Sequence, residues 1–167
     1  MQKINIVLYC PEIPQNTGNI SRTCAATGAS LHLIRPLGFE IDDRKLKRAG
    51  LDYWDKLDIT YYENAEEFFR IHGDKQLWLF STKAPRSYAE VEYPEEVWLM
   101  FGPETRGLPE DLLASREETC VRLPMREGLR SLNLSNTVAV AVYEALRQRN
   151  FEGLLAEGEP TTFSWKK

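Results

Sequence analysis

Short apolar runs alternate with helix-periodic stretches along most of the chain. The runs Ile4 to Tyr9, Leu31 to Ile34, Ile59 to Tyr62, Leu77 to Phe80, Val97 to Phe101 and Thr119 to Leu123 have the length and composition of strands. Between them the pattern predicts helices at about Asn19 to Thr27, ended by Gly28, at Asp42 to Ala49, ended by Gly50, at Ala65 to Ile71, at Glu110 to Ala114 and at Ser135 to Arg149. Asn64 followed by Glu67 resembles a capping box, with acidic residues in the first turn where the helix dipole favours them. Strands alternating with helices give an α/β fold, a mostly parallel sheet flanked by helices. No repeat or low-complexity linker divides it, so residues 1–167 read as one domain, with an irregular tail over 151–167 around Gly153, Gly158 and Pro160.

The last predicted helix carries Val138, Ala139, Val140, Ala141, Val142 and Tyr143 in succession, so it is apolar on every side and needs cover on every side. A sheet covers one side only. The other side is expected to meet a second copy in a homodimer, the alternative being that the tail folds back with Phe163 and Trp165.

Composition narrows the functional classes. The 167 residues carry 21 Lys and Arg against 25 Asp and Glu, a net charge of −4, and 43% of them are hydrophobic, which is the balance of a globular domain. No apolar run approaches the roughly 18 residues of a membrane span, and no basic, apolar, small-residue leader precedes the first strand, so a cytoplasmic protein with no membrane partner is expected. Cys10, Cys24 and Cys120 are odd in number and never spaced as Cys-x-x-Cys. They read as buried small hydrophobes rather than a disulfide or metal framework, and no metal is expected. His32 alternates within a strand, and His72 stands at a helix end where positive charge is favourable; neither has the setting of a catalytic base.

The unusual residues gather after strands: Pro11 to Arg22 after the first, Gly102 to Pro109 after the fifth and Pro124 to Asn136 after the sixth. All three belong at the carboxyl edge of the sheet, where open α/β sheets bind ligands. Gly and Pro there fix backbone N–H and C=O groups in place, which suits a planar heterocycle. A Gly-x-Gly-x-x-Gly after the first strand, a P-loop and a nucleophile elbow are all absent. Cys10 has no neighbouring base, which argues against covalent catalysis. The remaining groups, Asn16, Asn19, Arg22, Glu104, Arg106, Ser131, Asn133 and Asn136, orient, hydrogen-bond and neutralise phosphate; they suit a transfer whose electrophile comes from a cofactor.

Three stretches in order, Pro14-Gln15-Asn16-Thr17-Gly18-Asn19-Ile20-x-Arg22, Phe101 to Pro109, and Leu123-Pro124-Met125 leading to Arg130 to Asn136, resemble the signature of the SPOUT-type RNA methyltransferases. A fourth, Leu37-Gly38-Phe39 through Arg48 to Trp54, is similar to their smallest branch, the tRNA 2′-O-methyltransferases of the wobble nucleotide; Cys10 departs from it, standing where relatives often have a polar residue. The resemblance runs from Ile4 to about Arg149. It implies a C-terminal deep trefoil knot, against the general rule that chains do not thread loops. It also implies S-adenosylmethionine as cofactor, S-adenosylhomocysteine as product and tRNA as partner. By the same resemblance Phe80, Gly102, Leu123 and Ser131 hold the cofactor, with Glu104 and Asn133 in the same loops, and Arg22 is catalytic with Asn16 nearby to orient it. Read without the family, Arg22 is a surface helix residue and Asn16 a turn or cap residue.

An acidic chain that binds RNA must segregate its charge. Arg44, Lys45, Lys47 and Arg48 form one basic cluster; Arg122, Arg126 and Arg130 approach the third motif, and Lys83 and Arg86 follow the fourth strand. Arg44, Lys45, Lys47, Arg48, Arg126 and Arg130 are the RNA-binding candidates, and a solvated helix face is the plain alternative for Arg44 to Arg48. The same chemistry on another RNA such as rRNA, or a catalytically silent RNA-binding factor of the same fold, are the competing readings.

Overall fold

β1 (Lys3–Tyr9) lies near the middle of the sheet because its side chains are apolar toward both faces, Ile4, Ile6 and Leu8 toward one and Val7 toward the other. The computed structural model describes residues 2–41 and 57–165. β2 (Ser30–Ile34), β3 (Ile59–Tyr62), β4 (Leu77–Phe80), β5 (Glu96–Phe101) and β6 (Cys120–Val121) join β1 in the order β3-β2-β1-β5-β4-β6, and every pairing is parallel. The register sets Val7 opposite His32 and Ile6 opposite Leu99.

α1 (Pro14–Thr27) and α4 (Leu134–Gln148) pack against each other and cover one face. There Ile20, Cys24, Val138, Ala141, Val142 and Leu146 meet Ile6, Leu8, Leu33, Leu99 and Phe101. α2 (Ala65–His72) and α3 (Glu110–Ser115) cover the other, where Phe68 and the half-buried Leu112 and Leu113 meet Ile34, Leu77, Leu79 and Met100. Each fully buried Leu, Ile or Phe contributes about 1.5–3 kcal/mol relative to exposure. The helix expected over Asp42 to Ala49 lies outside the described residues.

Four expectations change. β6 is shorter than Thr119 to Leu123, because a single 3₁₀ turn takes Glu117–Thr119. α1 begins at Pro14, five residues before the expected Asn19, with proline in the first turn where its missing N–H costs nothing. The N-cap of α2 is Asn64, whose side chain accepts from the Glu67 N–H at 2.8 Å, but the Glu67 carboxylate reaches the Glu63 amide rather than closing a box on Asn64. α4 is not covered all round: Val140 and Tyr143 remain 39% and 46% exposed. The tail does not cover them, because Phe163 and Trp165 pair edge-to-face with each other at 4.9 Å and stay 56% and 62% exposed. The three cysteines are buried and free, as the sequence suggests.

His72 also departs from its expected role as a cation at a helix end. Its Nε2 lies 2.9 Å from the Tyr62 hydroxyl, which is 2.8 Å from Nδ1 of buried His32, whose Nε2 faces Oδ1 of Asn5 at 3.4 Å. Because the Asn5 Nδ2 donates to the Val97 carbonyl, its Oδ1 accepts, so His32 carries its proton on Nε2. Tyr62 then donates to His32 and accepts from His72. Burial first, and next the nearby His72 for His32 and Lys75 for His72, push both imidazoles down, His32 to about 4. Below about 6.5 the unfolded chain therefore binds protons that the folded one refuses. Stability should hold steady above pH 6.5, fall by up to about 3 kcal/mol from His32 as pH drops toward 4, and level off below. Urea midpoints across pH 4–8 measure this, and in His32→Gln most of the slope should vanish.

Candidate functional site

The strand order makes the carboxyl end of the β1–β5 pair a switch point. The chain leaves β1 toward α1 on one face and leaves β5 toward α3 on the other, opening a crevice between the two connections. A cavity of about 670 Å³ lies beside it, within the size range of small-molecule sites. Four connections line it: Ile13 and Asn16 after β1, Phe80 to Lys83 after β4, Phe101 to Leu108 after β5, and Leu123, Met125, Arg130 to Leu134 and Thr137 after β6. Phe80 and Phe101 stack at 4.7 Å in its wall, with Leu108 and Leu123 beside them. All six residues expected to hold a cofactor, Phe80, Gly102, Glu104, Leu123, Ser131 and Asn133, line this cavity, as does Asn16.

Glu104 and Asn133 have uses that the sequence reading missed. The Glu104 carboxylate accepts from the amides of Glu12 at 2.8 Å and Ile13 at 3.0 Å and from Nδ2 of Asn16 at 3.2 Å. It thus supplies to the first turn of α1 the anion that Ile13, the N-cap, lacks. That is why α1 starts early: its cap comes from 91 residues away, and no local pattern announces it. Asn133 caps α4, its Oδ1 accepting from the Ser135 amide and hydroxyl and from the Asn136 amide, while its Nδ2 donates to Oδ1 of Asn16 at 3.0 Å. The three motifs therefore meet in one chain of side-chain hydrogen bonds, Asn133 to Asn16 to Glu104.

Asn16 makes no bond to Arg22; its amide is bonded to Glu104 at one end and to Asn133 at the other. Six residues of helix turn Arg22 about 120° away from Asn16 and carry it about 9 Å along the axis. Arg22 stands exposed on α1 and is not among the residues lining the cavity.

Gly102 lines the cavity and is also demanded by the packing of its own loop. A Cβ there would lie 2.2 Å from the Gly107 carbonyl carbon and 2.3 Å from the Leu108 nitrogen. Gly107 itself sits at φ +70° and closes the turn with its N–H on the Pro103 carbonyl at 2.9 Å.

The mouth of the cavity is basic. Arg106 and Arg130 line it, Arg130 donating to the Thr105 carbonyl at 3.0 Å, and Lys83 lines it while paired with Glu110. Arg126 is exposed but outside the lining, and Arg44, Lys45, Lys47 and Arg48 lie outside the described residues. Burial pushes the Cys10 thiol up, and its Sγ donates to the Arg35 carbonyl, so it is a thiol without a base. No helix among the described residues is long and apolar enough to cross a membrane.

The family model described as the SpoU rRNA Methylase family matches residues 3–143. A Saccharophagus degradans protein named tRNA (cytidine(34)-2′-O)-methyltransferase is 50% identical over 150 residues, 89% of this chain and 97% of that protein. A solved structure described as "Structural insights into the 2-OH methylation of C/U34 on tRNA" superposes with a TM-score of 0.85 at 45% identity, covering 90% of this chain and 99% of its own. An AdoMet-bound rRNA methyltransferase from Sinorhizobium meliloti superposes with a TM-score of 0.78 at 25% identity, covering 88% of this chain and 57% of its own.

Proposed function

Because the chain belongs to the SpoU methylase family, we propose that it transfers a methyl group from S-adenosylmethionine to the ribose 2′-oxygen of the wobble nucleotide, cytidine or uridine 34, of tRNA. The observation that carries this reading is the cavity at the switch point, where residues from all three motifs lock together through Asn16, Glu104 and Asn133. Relatives near 50% identity that are matched over almost their whole length bear that name, which favours tRNA over the rRNA of more distant neighbours.

The cavity fits the cofactor. Its apolar wall of Phe80, Phe101, Leu108 and Leu123 suits an adenine ring, and the peptide groups of the Gly102–Gly107 loop offer hydrogen-bond partners to ring edges and ribose. Ser131, exposed at the rim, and Asn133, whose amide is already engaged, complete the proposed set. When bound, the cofactor supplies an activated sulfonium methyl, and S-adenosylhomocysteine remains after transfer. The protein's own part is alignment: holding oxygen and methyl carbon at attack distance replaces a bimolecular encounter with a unimolecular one.

Arg22 is the proposed catalytic residue, offering its guanidinium to the developing 2′-oxyanion or the adjoining phosphate. Its place outside the cavity suits a group that approaches from the RNA side. Arg126, Arg130 and the Arg44, Lys45, Lys47, Arg48 cluster are the proposed phosphate contacts. The exposed Val140 and Tyr143 on α4 support a homodimer through that helix. We further propose the family's C-terminal trefoil knot, which accords with Arg130 and Asn133 of the last segment bonding into earlier loops at Thr105 and Asn16, and a cytoplasmic location, where tRNA is found.

The test is mass spectrometry of nuclease fragments of unmodified tRNA, and of rRNA in a parallel reaction, after incubation with the protein and S-adenosylmethionine. A 2′-O-methylated nucleotide at position 34 is expected. Methylation of rRNA instead would move the substrate, and cofactor binding without transfer to any RNA would favour the silent factor.

A further inference from the structure

Thr105 is held from two sides. Its N–H donates to Oε2 of Glu12 at 3.1 Å and its hydroxyl to Oε1 of the same carboxylate at 3.0 Å, while its carbonyl accepts from Arg130 at 3.0 Å. The Glu12 backbone is in turn gripped by Glu104, the residue before Thr105 in the chain. Two carboxylates thus exchange places: Glu12 of the β1–α1 loop holds the backbone after β5, and Glu104 of the β5–α3 loop holds the backbone after β1. Paired bonds of this kind fix both distance and rotation between two loops, where a single bond fixes distance alone. Charge-assisted bonds to backbone N–H are also among the stronger ones.

A third segment leans on the same point. The Gly38 N–H donates to the Pro11 carbonyl at 2.9 Å, and a Cβ at Gly38 would lie 2.7 Å from the Glu12 backbone. The loop after β2 is therefore packed against Glu12 as well. Glu12 is half-buried and does not itself line the cavity, and neither its residue type nor its spacing singles it out.

We propose that Glu12 is a positioning residue for methyl transfer: through Thr105 it registers the β1–α1 connection, which carries Asn16 and Arg22, against the β5–α3 loop that forms the cofactor cavity. This rests on the reading of the cavity as the methyl-donor site and of α1 as the acceptor side. Losing Glu12 leaves the bonds of Glu104 to the start of α1 in place but frees Thr105 from the β1–α1 connection, so that this part of the β5–α3 loop shifts while Gly107 still closes its own turn. A misplacement of about 1 Å in such a site costs on the order of 10²-fold in rate.

The experiment compares Glu12→Ala, Thr105→Val and their combination in three measurements: S-adenosylmethionine affinity by calorimetry, single-turnover methyl transfer to tRNA at saturating concentrations, and amide exchange of peptides spanning 10–16 and 103–108. Glu12→Ala is expected to lower the transfer rate by about 10- to 100-fold with cofactor affinity changed less than about threefold. Exchange should quicken in those two peptides alone. Thr105→Val, which loses only the hydroxyl bond, should be mild, and adding it to Glu12→Ala should cost nothing more, because both remove the same contact. Glu12→Gln retains one acceptor and should recover part of the rate. Transfer by Glu12→Ala at the parent rate, multiplicative effects of the two substitutions, or a loss lying wholly in cofactor affinity would each overturn the proposal. Failure of the parent protein to methylate tRNA would instead overturn the functional reading, and the exchange result would still report whether the loops are coupled.

Discussion

Gly102→Ala is expected to lower S-adenosylmethionine affinity by at least about 100-fold, equivalent to roughly 3 kcal/mol, while leaving the sheet folded. The new methyl carbon would lie 2.2 Å from the Gly107 carbonyl carbon, 2.3 Å from the Leu108 nitrogen and 2.7 Å from the Gly107 Cα. All three are backbone atoms, so no side chain can rotate out of the way. The turn must open, breaking the Gly107 to Pro103 hydrogen bond and displacing the peptide groups that form one wall of the cavity. Gly107→Ala gives the contrast. A Cβ there meets nothing within 4 Å, but φ is +70°, so the cost is the left-handed strain of about 1–2 kcal/mol without a collision. Gly158→Ala, in open space in the tail, should be silent. Calorimetric titration of the three variants, with circular dichroism to verify the fold, should rank the losses Gly102 far above Gly107 and Gly107 above Gly158. Parent affinity in a folded Gly102→Ala protein would mean that the cofactor binds elsewhere.

Arg22→Ala should lower single-turnover methyl transfer by about 10²- to 10³-fold, the usual cost of one preorganised donor to developing negative charge. Because Arg22 is exposed on α1 and does not line the cavity, cofactor affinity should remain at the parent value. The split between rate and affinity distinguishes this variant from Gly102→Ala, which loses affinity first. Arg22→Lys separates charge from shape, since lysine keeps the positive charge and gives up the planar fork of donors. Substantial activity with lysine would assign Arg22 to charge neutralisation, and an inactive lysine variant would assign it to fork geometry or proton transfer. Transfer by Arg22→Ala at the parent rate would make Arg22 a solvated helix residue, as its exposure alone suggests.

Those two residues mark how far the sequence could be read. The strands were legible because a sheet covered on both faces demands short continuous apolar runs, and such runs occur where β1 to β5 are found. Gly28 announced the end of α1, and its φ of +74° shows why glycine stands there. The beginning of α1 was not legible, because its cap is the side chain of Glu104, brought in by the fold. For the same reason Glu104 and Asn133 could be placed in the right loops but not given their hydrogen bonds. His72 was misread as a cation since the pattern shows a helix end but not that Tyr62, Phe68 and Trp98 crowd around the ring. Val138 to Tyr143 looked alike in sequence, yet helix geometry divides them into a buried stripe and an exposed one.

The bond from Asn133 to Asn16 spans 117 residues. During synthesis the first helix and its glycine- and proline-rich entry are made well ahead of Asn133, which lies 117 residues after Asn16 and belongs to the loop that completes the cavity wall. Until α4 and the loop before it arrive, α1 has neither its packing partner nor the far side of its pocket. Contacts of such sequence separation form late, after long loops have been closed. A chain that has not yet made the last helix therefore lacks one wall of the cavity in which the cofactor is proposed to bind.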